Sequence, residues 1–146
     1  MTLENLLSIG KLKRHAADKR EIARLLASAE SAIRDAKIES LTAGSRLDLS
    51  YRAIMQASLV AMLANGFRPS TSEAGHHQLV IQALPKTIAL PPDRVRVLDA
   101  FRAARNKSDY DGISVSEAMA QEAVEEAERL LGEVKTWLKA EHSNFS

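Results

Sequence analysis

Residues 18–40 read DKREIARLLASAESAIRDAKIES, and the spacing of their apolar members points to an all-helical chain. Ile22, Leu25, Leu26, Ala29, Ile33, Ala36 and Ile38 recur largely at three- and four-residue steps, while Lys19, Arg24, Arg34 and Lys37 take other faces. That period is the signature of an amphipathic helix with one stripe turned toward a core. It predicts a helix over about 18–40, closed by Ala43-Gly44, with Ser45 and Asp48 as a capping box for the next.

The same reading extends in both directions. Leu3 to Ile9 predicts a short turn of helix broken near Gly10. A second long helix is expected from about Arg46 to Ala64, with Leu49, Ile54, Met55, Leu59, Met62 and Leu63 on a broad apolar face and Asn65-Gly66 as its terminator. Its interleaved small residues, Ala53, Ala57, Ser58, Ala61 and Ala64, permit close helix–helix approach, so it is expected to be the most buried. Phe67-Arg68-Pro69 reads as a turn, and Thr71 or Ser72 as the cap of a shorter helix from about Glu73 to Leu84 that carries Gly75-His76-His77. Pro85 and Pro91-Pro92 bracket a loop, after which Asp93 opens a helix through Val95, Val97, Leu98, Phe101 and Ala104 to about Ser108. Asp109-Tyr110-Asp111-Gly112 breaks it. Ser114 with Glu117 forms a capping-box pattern for a last helix over about 115–139, which includes Trp137 with a default role in the core. No strand pattern competes, and there is no internal repeat. The expectation is a single all-α domain over 1–146, an antiparallel up-and-down bundle of four to five helices with its core at about 18–139 and short flexible termini.

Composition excludes several function classes. The 146 residues are 45% hydrophobic and 27% charged, with only 6 Gly and 4 Pro, a balance suited to a packed domain. Cys is absent, so disulfides, thiolate catalysis and Cys-based metal centres are excluded. The apolar runs are short and interrupted by charge, and no secretory signal is legible near Glu4, so no membrane partner and a cytoplasmic location are expected. The net charge of +1 hides an asymmetry: residues 1–110 carry 17 Lys and Arg against 11 Asp and Glu, and residues 111–146 carry 3 against 8. A basic helix packed beside an acidic one accounts for this, as does a basic groove for phosphates. The cluster Lys11, Lys13, Arg14, Lys19 and Arg20 lacks interleaved aromatics, which favours a solvated face over a stacking platform for single strands.

Polar residues crowd the end of the helix over Phe101 to Gly112. Arg105, Ser108 and Asp109 stand three or four steps apart and share a face, and Tyr110 near the helix end can turn its hydroxyl back toward them. An Arg105–Asp109 pair is also an ordinary helix-terminal salt bridge. His76 and His77 are adjacent, so they project about 100° apart and are expected not to face one site together. One of them can point into the bundle toward Arg105. A metal site is not expected, because Glu73 and Val80 provide no matching ligand set around the pair, and no cofactor motif is present. His15 and His142 lie in polar terminal segments and read as solvated.

From Asp18 to Leu138 the chain resembles the HEPN domains (higher eukaryotes and prokaryotes nucleotide-binding), in the manner of a stand-alone bacterial member. The resemblance rests on the long first helix, on Ser50-Tyr51-Arg52-Ala53 opening a helix that ends in Asn65-Gly66-Phe67, and on Gly75-His76-His77 before an apolar helix. Above all it rests on Phe101 to Gly112, which looks like an R-x-x-R-N-x-x-x-Y-D version of the HEPN signature. The resemblance implies a helical bundle, usually a homodimer, with the polar motif near the dimer cleft. It implies a nucleotide or RNA ligand, or a small nucleotidyltransferase or antitoxin partner, in a toxin–antitoxin or defence-type system. Arg102, Arg105, Asn106, Asp109 and Tyr110 are then the ligand-binding candidates. Many members are metal-independent ribonucleases in which a His follows the Arg, and here Tyr110 stands in that place. With an ordinary pKa near 10, Tyr is a poor base at neutral pH and a good hydrogen-bond donor, so binding is favoured over cleavage. The alternative is an endoribonuclease toxin that uses Arg105 with His76 or His77.

Overall fold

A computed structural model describes residues 2–71 and 75–146. The chain is mostly helical: α1 (Leu3–Ser8), α2 (Lys19–Ala36), α3 (Ala43–Ala64), α4 (His76–Gln82), α5 (Leu84–Thr87), α6 (Pro92–Asp111) and α7 (Glu117–Glu141), with a two-stranded ribbon of β1 (Leu12–Arg14) and β2 (Phe67–Pro69). No helix among the described residues is long and apolar enough to cross a membrane.

The centre is α3, which packs mainly between α2 and α7. Ala53, Ala57 and Ala61 are wholly buried, as are Ala29 on α2 and Ala123 and Ala127 on α7. Methyl-sized side chains on facing helices let the backbones approach, and Ile22, Leu47, Ile54, Val60, Met62, Leu130 and Val134 fill the space between. Trp137 packs partly buried against this core, its ring 4.8 Å from that of His142.

The helix boundaries differ from the periodicity in ways that have local causes. α2 stops at Ala36, four residues short of the predicted end, and Ala43-Gly44 is the first turn of α3 rather than a terminator. Thr42 is the cap, its hydroxyl accepting from the Ser45 amide at 3.2 Å, so the Ser45–Asp48 box does not form. The end of α2 is closed from outside: Arg46, 6% exposed, donates from Nε to the Ala36 carbonyl at 2.8 Å and from its amino group to Gln121 on α7 at 2.8 Å. A buried guanidinium thus ties the last turn of α2 to α3 and α7, satisfying a carbonyl that a glycine cap would otherwise serve.

Phe67-Arg68-Pro69 is a strand, not a turn. It pairs antiparallel with β1 in the register Leu12↔Pro69 and Arg14↔Phe67, after Gly66 (φ 91°) reverses the chain at the end of α3. Three residues per strand carry no alternation long enough to read, and the partners lie more than fifty positions apart. Leu6 and Leu12 are 7% and 1% exposed, so the core begins well before Asp18.

The remaining differences are smaller. The predicted helix over 73–84 is two: α4 behind Gly75, then α5, where Pro85 sits inside the first turn instead of bracketing a loop. The candidate cap Ser72 and the predicted start Glu73 lie outside the described residues. α6 continues past Ser108 through Asp111, and Gly112 (φ 67°) ends it. Ser116, not Ser114, caps α7, accepting from the Met119 amide at 3.1 Å.

Candidate functional site

Leu98 and Phe101 are 0% and 1% exposed and fasten α6 to the bundle, which leaves the polar side of that helix beside the first half of α3 and the start of α4. Arg102 is spent locally. Its Nε and one amino group meet both oxygens of Asp99 at 2.7 and 3.1 Å, and this hydrogen bonding holds the guanidinium pKa above its ordinary value.

Arg105 is held differently. Its Nε donates to Asp48 on α3 at 3.2 Å, Asp109 lies 3.9 Å from the same nitrogen, and the guanidinium carbon sits 5.2 Å from the centre of the Tyr51 ring. Stacking on an aromatic face orients the planar fork without using its donors. The two terminal amino groups make no hydrogen bond with the described residues, and the side chain is 38% exposed. Tyr51 itself is 5% exposed. Burial pushes its phenol pKa up, against the pull of Arg105 and Arg102, so the hydroxyl stays protonated at neutral pH.

The two histidines of α4 come together, contrary to the expectation that adjacent positions diverge. Their ring centres are 4.3 Å apart at 70°, and both line a groove of about 620 Å³ between α2, α3 and α4. A 100° separation at the backbone is closed because each imidazole swings on two rotatable bonds in the first turn of a short helix. His77 is held below its ordinary pKa, first by burial, then by His76 and by Arg105. Arg105 is therefore near enough to repel a proton from the His77 ring, and at pH 7 that ring is mainly neutral.

A ring titration followed by NMR checks this geometry. The His77 midpoint is expected below about 6.5, the ordinary histidine value, and Arg105→Ala should raise it by removing one of the three causes. For a base depressed by folding the linkage runs one way: the His77 contribution to stability is complete above about pH 6.5 and declines as pH falls below it. A His77 midpoint indifferent to Arg105→Ala would place the two groups apart.

The other sequence candidates divide. Asp109 joins Arg105, and Asn106 is half-buried on the same helix. Tyr110 does not turn back: it is 84% exposed in the last turn of α6, and its hydroxyl makes no hydrogen bond with the described residues. The tyrosine that meets Arg105 is Tyr51, from α3. Asp48, Tyr51 and Asp99 were not among the predicted site residues. The available signal was a lone aromatic with a polar tip among the small residues of the most buried helix, where a partner for that tip is expected. His15 is not solvated either, since its Nε2 lies 2.8 and 3.0 Å from the two oxygens of Glu21.

Chemically, the arrangement offers a planar cation whose terminal amino groups make no hydrogen bond with the described residues, a neutral phenol beneath it and a neutral imidazole nearby. No protein-family model matches the chain, and no curated protein matches it.

Proposed function

We propose that this protein is a HEPN-like helical module that binds a phosphate-bearing ligand, a nucleotide or an RNA, through Arg105. The observation that carries this reading is the Arg105 fork, oriented by Tyr51 and Asp48 yet with neither terminal amino group hydrogen-bonded to a described residue. A phosphate that takes those two donors is bound in bidentate fashion, while Asp48, itself 54% exposed, releases little by letting Nε go. The resemblance of Phe101 to Gly112 to the HEPN signature supplies the ligand class. It also suggests a homodimer, and a role beside a small nucleotidyltransferase or an antitoxin in a toxin–antitoxin or defence-type system.

A second reading has one observation in its favour. In a metal-independent endoribonuclease, His77 would take the proton of a 2′-hydroxyl as its oxygen bonds the adjacent phosphorus; the P–O5′ bond would break to give a 2′,3′-cyclic phosphate, the leaving 5′-oxygen would take a proton from water, and Arg105 would stabilise charge on the phosphoryl oxygens. The mainly neutral state of His77 and its nearness to Arg105 are what that step requires.

One experiment separates them. Total RNA and a labelled single-stranded oligoribonucleotide are incubated in EDTA with the wild type and with Arg105→Ala, and binding of the oligoribonucleotide and of adenosine monophosphate is measured in parallel. Under the binding reading, neither protein cleaves, and Arg105→Ala loses about 1.5–3 kcal/mol of affinity, the scale of a charged hydrogen bond. Cleavage by the wild type alone moves the function to the nuclease. Equal behaviour of the two folded proteins toward every probe overturns both.

A further inference from the structure

The groove that the His pair enters is a second site, distinct in chemistry from the Arg105 face. Its volume of about 620 Å³ lies inside the range of about 300–1,000 Å³ common to small-molecule sites. Leu25 of α2 and Met55, Leu59 and Leu63 of α3 give it an aliphatic floor, with Val80 of α4 closing one side. No phenyl, phenol or indole ring lines it among the described residues, which leaves no such ring on which to stack a nucleobase. Met and Leu fit a flexible chain instead.

Among the described residues the charged groups of the groove are unbalanced. The one carboxylate among them, Glu21, has both oxygens occupied by His15. Arg24 of α2 and Arg68 of β2 also line it, and neither guanidinium has an ion-pair partner among the described residues. Beneath them Gln56 donates from Nε2 to the Ser28 hydroxyl at 2.9 Å, while its Oε1 is buried with no hydrogen-bond partner among the described residues. Two cations with no ion-pair partner among the described residues, lining an aliphatic trough, are complementary to a molecule that carries a single anionic head on an aliphatic chain.

We infer that the groove between α2, α3 and α4 binds an amphipathic anion, an aliphatic chain whose carboxylate or phosphate head is held by Arg24 and Arg68. This does not rest on the role of Arg105, and either reading can fail while the other stands.

Decanoate, decyl phosphate and decanol, each below its micellar concentration, are titrated into the full chain by calorimetry at low ionic strength, with amide shifts followed by NMR. Decanoate or decyl phosphate is expected to bind at one site per chain and to shift the amides of Leu25, Met55 and Leu59. The preferred head shows which anion the groove takes, and decanol binds more weakly than either. Arg24→Ala combined with Arg68→Ala, both outside the packed core, should weaken the preferred anion by about tenfold or more, as loss of a charged hydrogen bond does. Arg105→Ala should leave that affinity within about twofold of the wild type. The assignment is overturned by no saturable binding of either anion, by decanol binding as tightly, by shifts confined to other surfaces, or by equal affinity in the double variant. Loss of anion binding in Arg105→Ala would instead overturn the separation of the two sites.

Discussion

Phe101→Ala is expected to destabilise the protein by about 3–5 kcal/mol, the cost of emptying a fully buried aromatic site. Phe101 is 1% exposed and, with Leu98, is one of the two residues of α6 that are buried outright. Few other residues on that helix are available to take over its anchoring. Urea unfolding monitored by far-UV circular dichroism measures the loss, and in a thermal scan, at roughly 3 °C per kcal/mol for a chain of this size, Tm should fall by about 10–15 °C. Phe101→Leu keeps most of the volume and should cost about 1 kcal/mol. The functional consequence follows from position. Arg102 and Arg105 stand one and four residues beyond Phe101, so a loosened α6 releases the Arg105 fork from Tyr51 and Asp48, and the phosphate affinity proposed for that fork should fall even in conditions where the variant stays folded. A loss under about 1 kcal/mol for Phe101→Ala would mean that α6 is held elsewhere.

Arg94→Met should cost about 2–3 kcal/mol, because it leaves two carboxylates facing each other with their main counter-charge gone. The amino groups of Arg94 meet both oxygens of Glu133 at 2.8 and 3.0 Å, and one of them lies 3.4 Å from Glu126. The Arg94 and Glu126 side chains are only 12% and 19% exposed. The bond to Glu133 holds the Arg94 pKa above its ordinary value against the opposing effect of burial. Arg129, 58% exposed and 3.9–4.0 Å from both carboxylates, compensates in part, which keeps the expected loss below that of a fully buried pair. Chemical unfolding of both proteins measures the loss, and a variant as stable as the wild type would show that Arg129 alone balances the two carboxylates. Since Arg94 is in the first turn of α6, the pair also fastens to α7 the end of the helix that Phe101 does not reach.

The sequence pattern made the helices legible where an apolar stripe and a punctuation residue coincide. Asn65-Gly66 ends α3 and Gly112 ends α6 as their residue types require. The burial of α3 was legible from its alternation of alanine with leucine, isoleucine and methionine, because only a helix surrounded by others can bury both kinds. Polar caps were harder to read. Thr42, Ser45, Ser114 and Ser116 are chemically equivalent candidates, and which hydroxyl meets an amide depends on where the neighbouring helix stops.

For the candidate site, local spacing identified Arg105 and Asp109, which interact within one helix across a single turn. It misplaced Tyr110, because a residue in the last turn of a helix has no obligation to fold back when no buried partner awaits it. Tyr51 and Asp48 reach Arg105 from α3, up to 57 positions away along the chain, and His77 of α4 feels its charge. By itself the sequence determined a mostly helical chain, the identity of its central helix and a polar terminus on α6. Tertiary structure alone decided that Arg46 caps α2, that Leu12–Arg14 pairs with Phe67–Pro69, and that the two histidines share a groove with Arg24 and Arg68. Periodicity records which side of an element faces the core, since burial acts on each residue in turn. Contacts between distant elements depend on how whole helices cross, which no local pattern encodes.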